Sequence, residues 1–157
     1  MKILLSIDGS EQSAVAVDEV CDRHFPPDSD VRVISVVEPI TFSGALPGEV
    51  GLFVDLEKAA KERARTAVDT AIDKLRTGAG SRQFNVTTAI LSGSPKREIL
   101  EEAEKFAADL IVVGSHGQGG FERFLLGSVS QAVALHARCS VEIVRSRKAL
   151  PHANKTS

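Results

Sequence analysis

Val112-Val113-Gly114-Ser115-His116-Gly117-Gln118-Gly119-Gly120, continued through residues 121–126 into Gly127-Ser128-Val129-Ser130, reads as a buried strand, a glycine-rich loop and the start of a helix. Glycine has no Cβ, so the backbone N–H groups of such a loop can approach an anion closely. A helix start adds unpaired donors and a favourable dipole. Gly114, Gly117 and Gly127-Ser128 stand at the spacing Gly-x2-Gly-x9-Gly-Ser. This pattern equips a loop to hold phosphates. It lacks the lysine of a Walker-type phosphate loop.

Outward from that stretch, short apolar runs alternate with helical periodicity. Lys2–Ile7 is a buried strand, after which Gly9-Ser10 opens a helix with Ser10 as N-cap and Ala14, Val17, Val20 and Cys21 on one face. Val31–Val37 is a second strand, nearly all β-branched. Glu38 to Gly51 shows no clear period and reads as a loop, either a flap or, through Phe42, Leu46 and nearby Phe53, a partner surface. From Leu52 to Leu75 the positions Leu56, Ala60, Ala64, Ala67, Ala71 and Leu75 trace a helical stripe, closed by Gly78 and Gly80. Asn85–Leu91 is a third strand. Ser94-Pro95 then fits an N-cap followed by proline at the first helical position, with Ile99, Leu100, Ala103 and Phe106 facing inward. Asp109–Val113, a helix over Gly127–Ala137 and a fifth strand over Ser140–Arg145 complete one domain, residues 1–146, followed by a polar tail, 147–157.

Five strands alternating with four helices predict an α/β fold, a mostly parallel sheet covered on both faces. In such sheets ligands bind outside the carboxyl ends of the strands, where strand order reverses. Asp8 follows the first strand and Gly114 follows the fourth. If those strands are neighbours, both face one crevice.

Composition narrows the function. A chain of 157 residues with 43% hydrophobic and 25% charged residues is ordinary for a globular protein. A net charge of -2 and a pI near 6.1 argue against a general nucleic-acid binder. Tyr and Trp are absent, which leaves few platforms for stacking bases. Cys21 and Cys139 lie far apart without clustered His, so neither a metal site nor a disulfide framework is expected. No stretch reaches membrane-spanning length and the first apolar run is too short for a signal peptide, so the cytoplasm is the default compartment.

Ile3-Leu4-Leu5-Ser6-Ile7-Asp8-Gly9-Ser10, Asp109-Leu110-Ile111-Val112-Val113-Gly114-Ser115-His116-Gly117, Gly127-Ser128-Val129-Ser130 and His136-Ala137-Arg138-Cys139-Ser140-Val141 together resemble the universal stress protein family, over the chain as far as Arg145. The resemblance implies a single open, five-stranded parallel sheet of order 3-2-1-4-5, Rossmann-like, with helices on both faces. It also implies binding of ATP, alone or with magnesium, in the subset carrying the glycine signature. Ser6, Ile7 and Asp8 would line the adenine and ribose end, and Val36 would contact adenine. Val113, Gly114, His116 and Gly117 would follow the ribose and phosphates, and Gly127, Ser128, Val129 and Ser130 would hold the phosphate chain. The family pairs its last strand, here Val141–Arg145, in a homodimer. Gln118 stands where a basic residue is common, with Arg123 a candidate to compensate, and Arg138 and Glu142 replace residues usually proline and apolar.

Several residues carry two readings. Asp8 is a ligand-facing carboxylate or a helix-capping one, and Ser128 a phosphate ligand or a plain N-cap. His116 reads as a loop hydrogen-bond donor, since no nucleophile partner is visible. His136 and Cys139 form a potential Cys–His pair or simply pack. The sequence advertises a holder of nucleotide, a stress-response sensor or regulator, with slow hydrolysis at most. Two alternatives are a nucleotide-free interaction module and, by fold analogy alone, an adenylyl-transferring or nucleotide-hydrolysing enzyme.

Overall fold

A computed structural model describes residues 1–40, 50–78, 84–117 and 126–146. Five strands, β1 (Lys2–Ile7), β2 (Asp30–Val37), β3 (Asn85–Ser92), β4 (Leu110–Gly114) and β5 (Ser140–Val144), form one sheet of order β3-β2-β1-β4-β5. Every pairing is parallel, as the alternation of elements predicts. The expected order 3-2-1-4-5 is therefore the observed one.

Handedness decides which helix covers which face. Parallel crossovers are right-handed, so helices whose connections step in one direction share a face, and those stepping back share the other. Accordingly α1 (Glu11–Asp22) and α2 (Val50–Gly78) cover one face, while α3 (Pro95–Phe106) and α4 (Ser128–His136) cover the opposite one. Alternation along β1 sends Ile3, Leu5 and Ile7 to the first layer and Leu4 to the second. Ala16, Val17 and Val20 of α1 meet Val68, Ala71 and Leu75 of α2 above the first layer. Ile99 and Ala103 of α3 and Val133 of α4 close the second over Ile34, Ile111 and Val113. Each fully buried Leu or Ile here contributes roughly 1.5–3 kcal/mol.

Element boundaries differ from expectation by a residue or two, and most at α2, which takes Val50 and Gly51 from the expected loop and runs three residues past Leu75 to Gly78. Its stripe is only partly buried. Ala64, Val68, Ala71 and Leu75 lie in the core, whereas Leu56 is exposed. A helix of 29 residues is about 43 Å long, and an eight-residue strand spans only about 27 Å. The first turns of α2 therefore overrun the sheet. Ala14 of α1 is also exposed, and Ser13 and Ala16 take the inner positions instead. Gly78 belongs to α2, and Gly80 lies outside the described residues.

One charge sits inside. Glu102 on the inner side of α3 is buried, and Arg32 Nε of β2 lies 2.8 Å from its carboxylate. That nitrogen is off the line of a hydrogen bond, so the attraction is Coulombic. The Arg32 guanidinium also stacks over Phe106, 5.5 Å from the ring centre. At the outer edge, Glu142 of β5 is ion-paired with Arg23 beyond α1. Burial pushes the Glu142 carboxyl up, against the downward pull of Arg23. Among the described residues, no helix is long and apolar enough to cross a membrane.

Candidate functional site

Strand order reverses between β1 and β4, whose pairing ends at Ser6 opposite Val113. A crevice of about 440 Å³ opens there, a size that suits a small-molecule ligand. Its walls include Ser6, Ile7 and Asp8 from the end of β1, Val36 from β2, and Val113 and Gly114 from β4. His116 and Gly117 follow β4, and Gly127, Ser128, Val129 and Ser130 come from the start of α4. All twelve residues singled out in the sequence thus line one cavity. Ser13, Glu38, Pro95 and Ile99 line it as well and were not singled out. Pro95 had a readable signal. In a parallel sheet every helix that follows a strand begins at the same end of the sheet, so the α3 start must stand beside the α4 start.

Short local hydrogen bonds set this geometry. Asp8 Oδ1 accepts from the Ser10 N–H at 3.0 Å, and Ser10 Oγ accepts from Ser13 N–H at 3.2 Å, which caps α1. Gly9, at φ 79°, makes the turn between them possible. Asp8 therefore holds a turn at the same time as it borders the crevice. The Ser115 N–H donates to the Val144 carbonyl at 2.7 Å, and the Ser115 carbonyl accepts from Gly127 N–H at 2.7 Å. The two sides of the glycine loop are thereby tied together at its base. Ser115 Oγ lies 3.2 Å from His116 Nδ1. Gln118 and Arg123, the candidate charge substitution, lie outside the described residues, as do Phe42 and Leu46.

At the start of α4 the N-cap is Gly127, and Ser128 is the first helical residue. The plain N-cap reading of Ser128 is corrected, because the extended backbone of the cap falls one position earlier. Gln131 N–H is the first to bond back, to Gly127 O at 2.9 Å. The amides of Ser128, Val129 and Ser130 thus have no acceptor within the helix. Ser130 Oγ donates to the carbonyls of Ser115 and Gly127, at 3.0 and 2.9 Å. Its single hydroxyl proton is thus shared between two loop carbonyls and ties the loop to α4. At α3, Ser94 occupies the cap position without a side-chain hydrogen bond, and Pro95 follows as expected.

Each signature glycine has a packing reason. A Cβ on Gly114 would lie 2.9 Å from the backbone carbon of Gln12, one on Gly117 would lie 2.6 Å from Asp8 Oδ2, and one on Gly127 would lie 3.1 Å from the Ser115 carbonyl oxygen.

The walls of the crevice carry negative rather than positive side-chain charge. Its charged lining residues are Asp8 and Glu38, with neither Lys nor Arg among the described ones. Positive potential comes from the starts of α3 and α4 and their amides. No group of three His, Cys, Asp or Glu among the described residues could hold a metal ion. His136 and Cys139 border a separate small cavity between α3 and α4. Burial, and then the nearby Asp109 charge, push the Cys139 thiol up, which is the wrong direction for a nucleophile. Burial raises Cys21 likewise.

Residues 1–145 match the profile of the Universal stress protein family. Universal stress protein MJ0531 of Methanocaldococcus jannaschii is 37% identical over 147 residues, which cover 94% of this chain and 83% of that protein. Among solved structures, universal stress protein UspA from Lactobacillus plantarum superposes with a TM-score of 0.76 at 26% identity, over 92% of this chain and 97% of that one. A family protein from Arabidopsis thaliana, solved with AMP bound, superposes at 0.67 with 19% identity, over 98% and 97% of the two chains.

Proposed function

We infer that this chain, which belongs to the universal stress protein family, holds an adenine nucleotide in the crevice between β1 and β4 and serves as a cytoplasmic nucleotide-dependent sensor or regulator. The observation that carries this reading is the convergence of all twelve sequence-derived residues on one cavity at the strand-order switch. The AMP-bound Arabidopsis protein shares the fold, and at its level of identity it speaks for the fold alone. The chemistry must come from this chain. Ile7, Val36 and Ile99 offer apolar walls for a base, Asp8 an acceptor for ribose hydroxyls or the adenine amine, and the α4 amides a seat for phosphate.

Charge sets the terms for ATP. With two carboxylates on the walls, a bare triphosphate is repelled unless a cation travels with it. Magnesium would arrive on the phosphates, which suits an ion that keeps most of its waters and needs few protein ligands. In calorimetric titration ATP is expected to bind with magnesium present. Chelating the metal should weaken ATP at least about tenfold, or about 1.4 kcal/mol, and AMP much less. No heat with any adenine nucleotide at millimolar concentration would sink the reading. Equal loss for AMP and ATP would sink the role given to charge.

The homodimer is proposed through β5, whose outer edge carries unpaired backbone groups in a single copy. Val141 and Ile143 are half-buried there and would complete their packing against a second copy. Val141→Asp should lower the molar mass in sedimentation while circular dichroism stays that of a folded chain. An unchanged mass would exclude this edge.

A further inference from the structure

A second cavity, about 490 Å³, lies between α1 and α2 beside the β1–α1 turn. Its lining is small and largely apolar, with Ala14 and Val17 from α1 and Ala67 and Ala71 from α2. Asp8 and Ser13 border both this cavity and the crevice.

The chain itself leads toward it. Past β5, the Ser146 N–H donates to Gln12 Oε1 at 2.8 Å, which pins the chain to the first turn of α1. The sequence continues as Arg147-Lys148-Ala149-Leu150-Pro151 and on to Ser157, outside the described residues, with Lys155 as a further cation and no Asp or Glu. At about 100° per residue, Gln12 and Ala14 stand about 160° apart around α1. Val15, Asp22, Glu11 and Asp18 fall within that arc, while the other way round is closed by the core residues Ala16, Val17 and Val20. Any path from Gln12 to the cavity therefore crosses an acidic face. α1 carries Glu11, Asp18, Glu19 and Asp22 and neither Lys nor Arg. Lys74 pairs with Asp18 and Arg23 with Glu19, whereas Glu11 and Asp22 make no ion pair among the described residues.

We propose that residues 147–151 cross the outer face of α1, with Arg147 and Lys148 over Glu11 and Asp18 and Leu150 seated in the α1–α2 cavity. Reach, order and charge agree. Four extended residues from Ser146 to Leu150 cover about 13 Å, against about 10–12 Å for the breadth of a helix with its side chains. The cations come first in the chain and meet the carboxylates first. The apolar residues follow and meet the apolar cavity. Proline after Leu150 favours an extended backbone at Leu150, which the crossing needs. A tether this short acts like a ligand at about millimolar concentration, so modest contacts suffice. The docked segment straps the β1–α1 turn that Asp8 and Ser10 build.

Two readouts test the proposal. The chain has no Trp, so an indole introduced by Leu150→Trp reports this position alone. Its emission should lie to the blue of the same variant unfolded in urea, independently of protein concentration. Adding Ala14→Lys, at an exposed helical position, should return the emission to the unfolded value while circular dichroism stays that of a folded chain. Without the indole, mass spectrometry of tryptic digests follows release of the tail at Arg147 and Lys148. Leu150→Ser should speed that release at least about fivefold, and Glu11→Gln with Asp18→Asn about two- to fivefold. Emission matching the unfolded variant overturns the docking, and a red shift on dilution assigns the tail to a second copy and overturns the intramolecular form. Emission that stays blue with Ala14→Lys, or release unchanged by Leu150→Ser, overturns the cavity as the seat. Release indifferent to the loss of the two carboxylates overturns the path over the acidic face.

Discussion

Gly117→Ala is expected to weaken adenine-nucleotide binding at least about tenfold, about 1.4 kcal/mol, in a protein that still folds. The added Cβ would stand 2.6 Å from Asp8 Oδ2, well inside any tolerated contact. Asp8 has little freedom to retreat, because its other oxygen accepts from Ser10 N–H at the turn that opens α1. Relief must move the carboxylate or the segment at Gly117, and both are walls of the crevice. Calorimetry against the unchanged protein gives the size of the loss. A cycle with Asp8→Ala gives its origin, since residues in contact show non-additive effects. If the harm comes from the clash, alanine at 117 should matter much less once the Asp8 carboxylate is gone. If it comes from phosphate needing the space, the two losses should add. Binding by Gly117→Ala as tight as by the unchanged chain would remove Gly117 from the site.

The Gly117 case marks where reading a sequence stops. The glycine positions are visible as spacing, and so is the strand–loop–helix frame around them. Spacing alone argues that glycine admits an anion to the backbone. The cause of each glycine is a contact from far along the chain, Gln12 for Gly114 and Asp8 for Gly117, and no local pattern encodes it. The strand order is a further case. Alternating elements require parallel strands, but the neighbour relation of β1 and β4 followed only from family resemblance. Glu102 escaped notice for a related reason. A carboxylate on the inner side of an amphipathic helix looks like an interruption until Arg32 is found on the strand beneath it. The α2 stripe is visible as periodicity, but the exposure of Leu56 is not, because periodicity reports which side of a helix is apolar and says nothing of how far the sheet extends beneath it.

Gly114→Ala is expected to destabilise the fold by about 1–3 kcal/mol, the range for overpacking a filled site. Gly114 ends β4 directly under the first turn of α1, where an added Cβ would lie 2.9 Å from the backbone carbon of Gln12 and 3.1 Å from its oxygen. Backbone cannot rotate aside as a side chain can, so α1 itself would have to lift. Lifting it strains the Ser10 cap and the hydrogen bond from Ser146 N–H to Gln12 Oε1 at 2.8 Å. For a chain of this size the melting midpoint should drop about 2–4 °C per kcal/mol. Gly51→Ala is the matched comparison. A Cβ there meets nothing within 4 Å, on an exposed turn of α2. In a helix alanine is favoured over glycine by up to about 1 kcal/mol. The two substitutions are chemically identical and should shift urea midpoints in opposite directions at an unchanged m-value. Equal stability of Gly114→Ala and the unchanged protein would mean that α1 does not rest on the end of β4. In that event the shared wall of Asp8, Ser13 and Gly114, on which the crevice depends, would not stand as described.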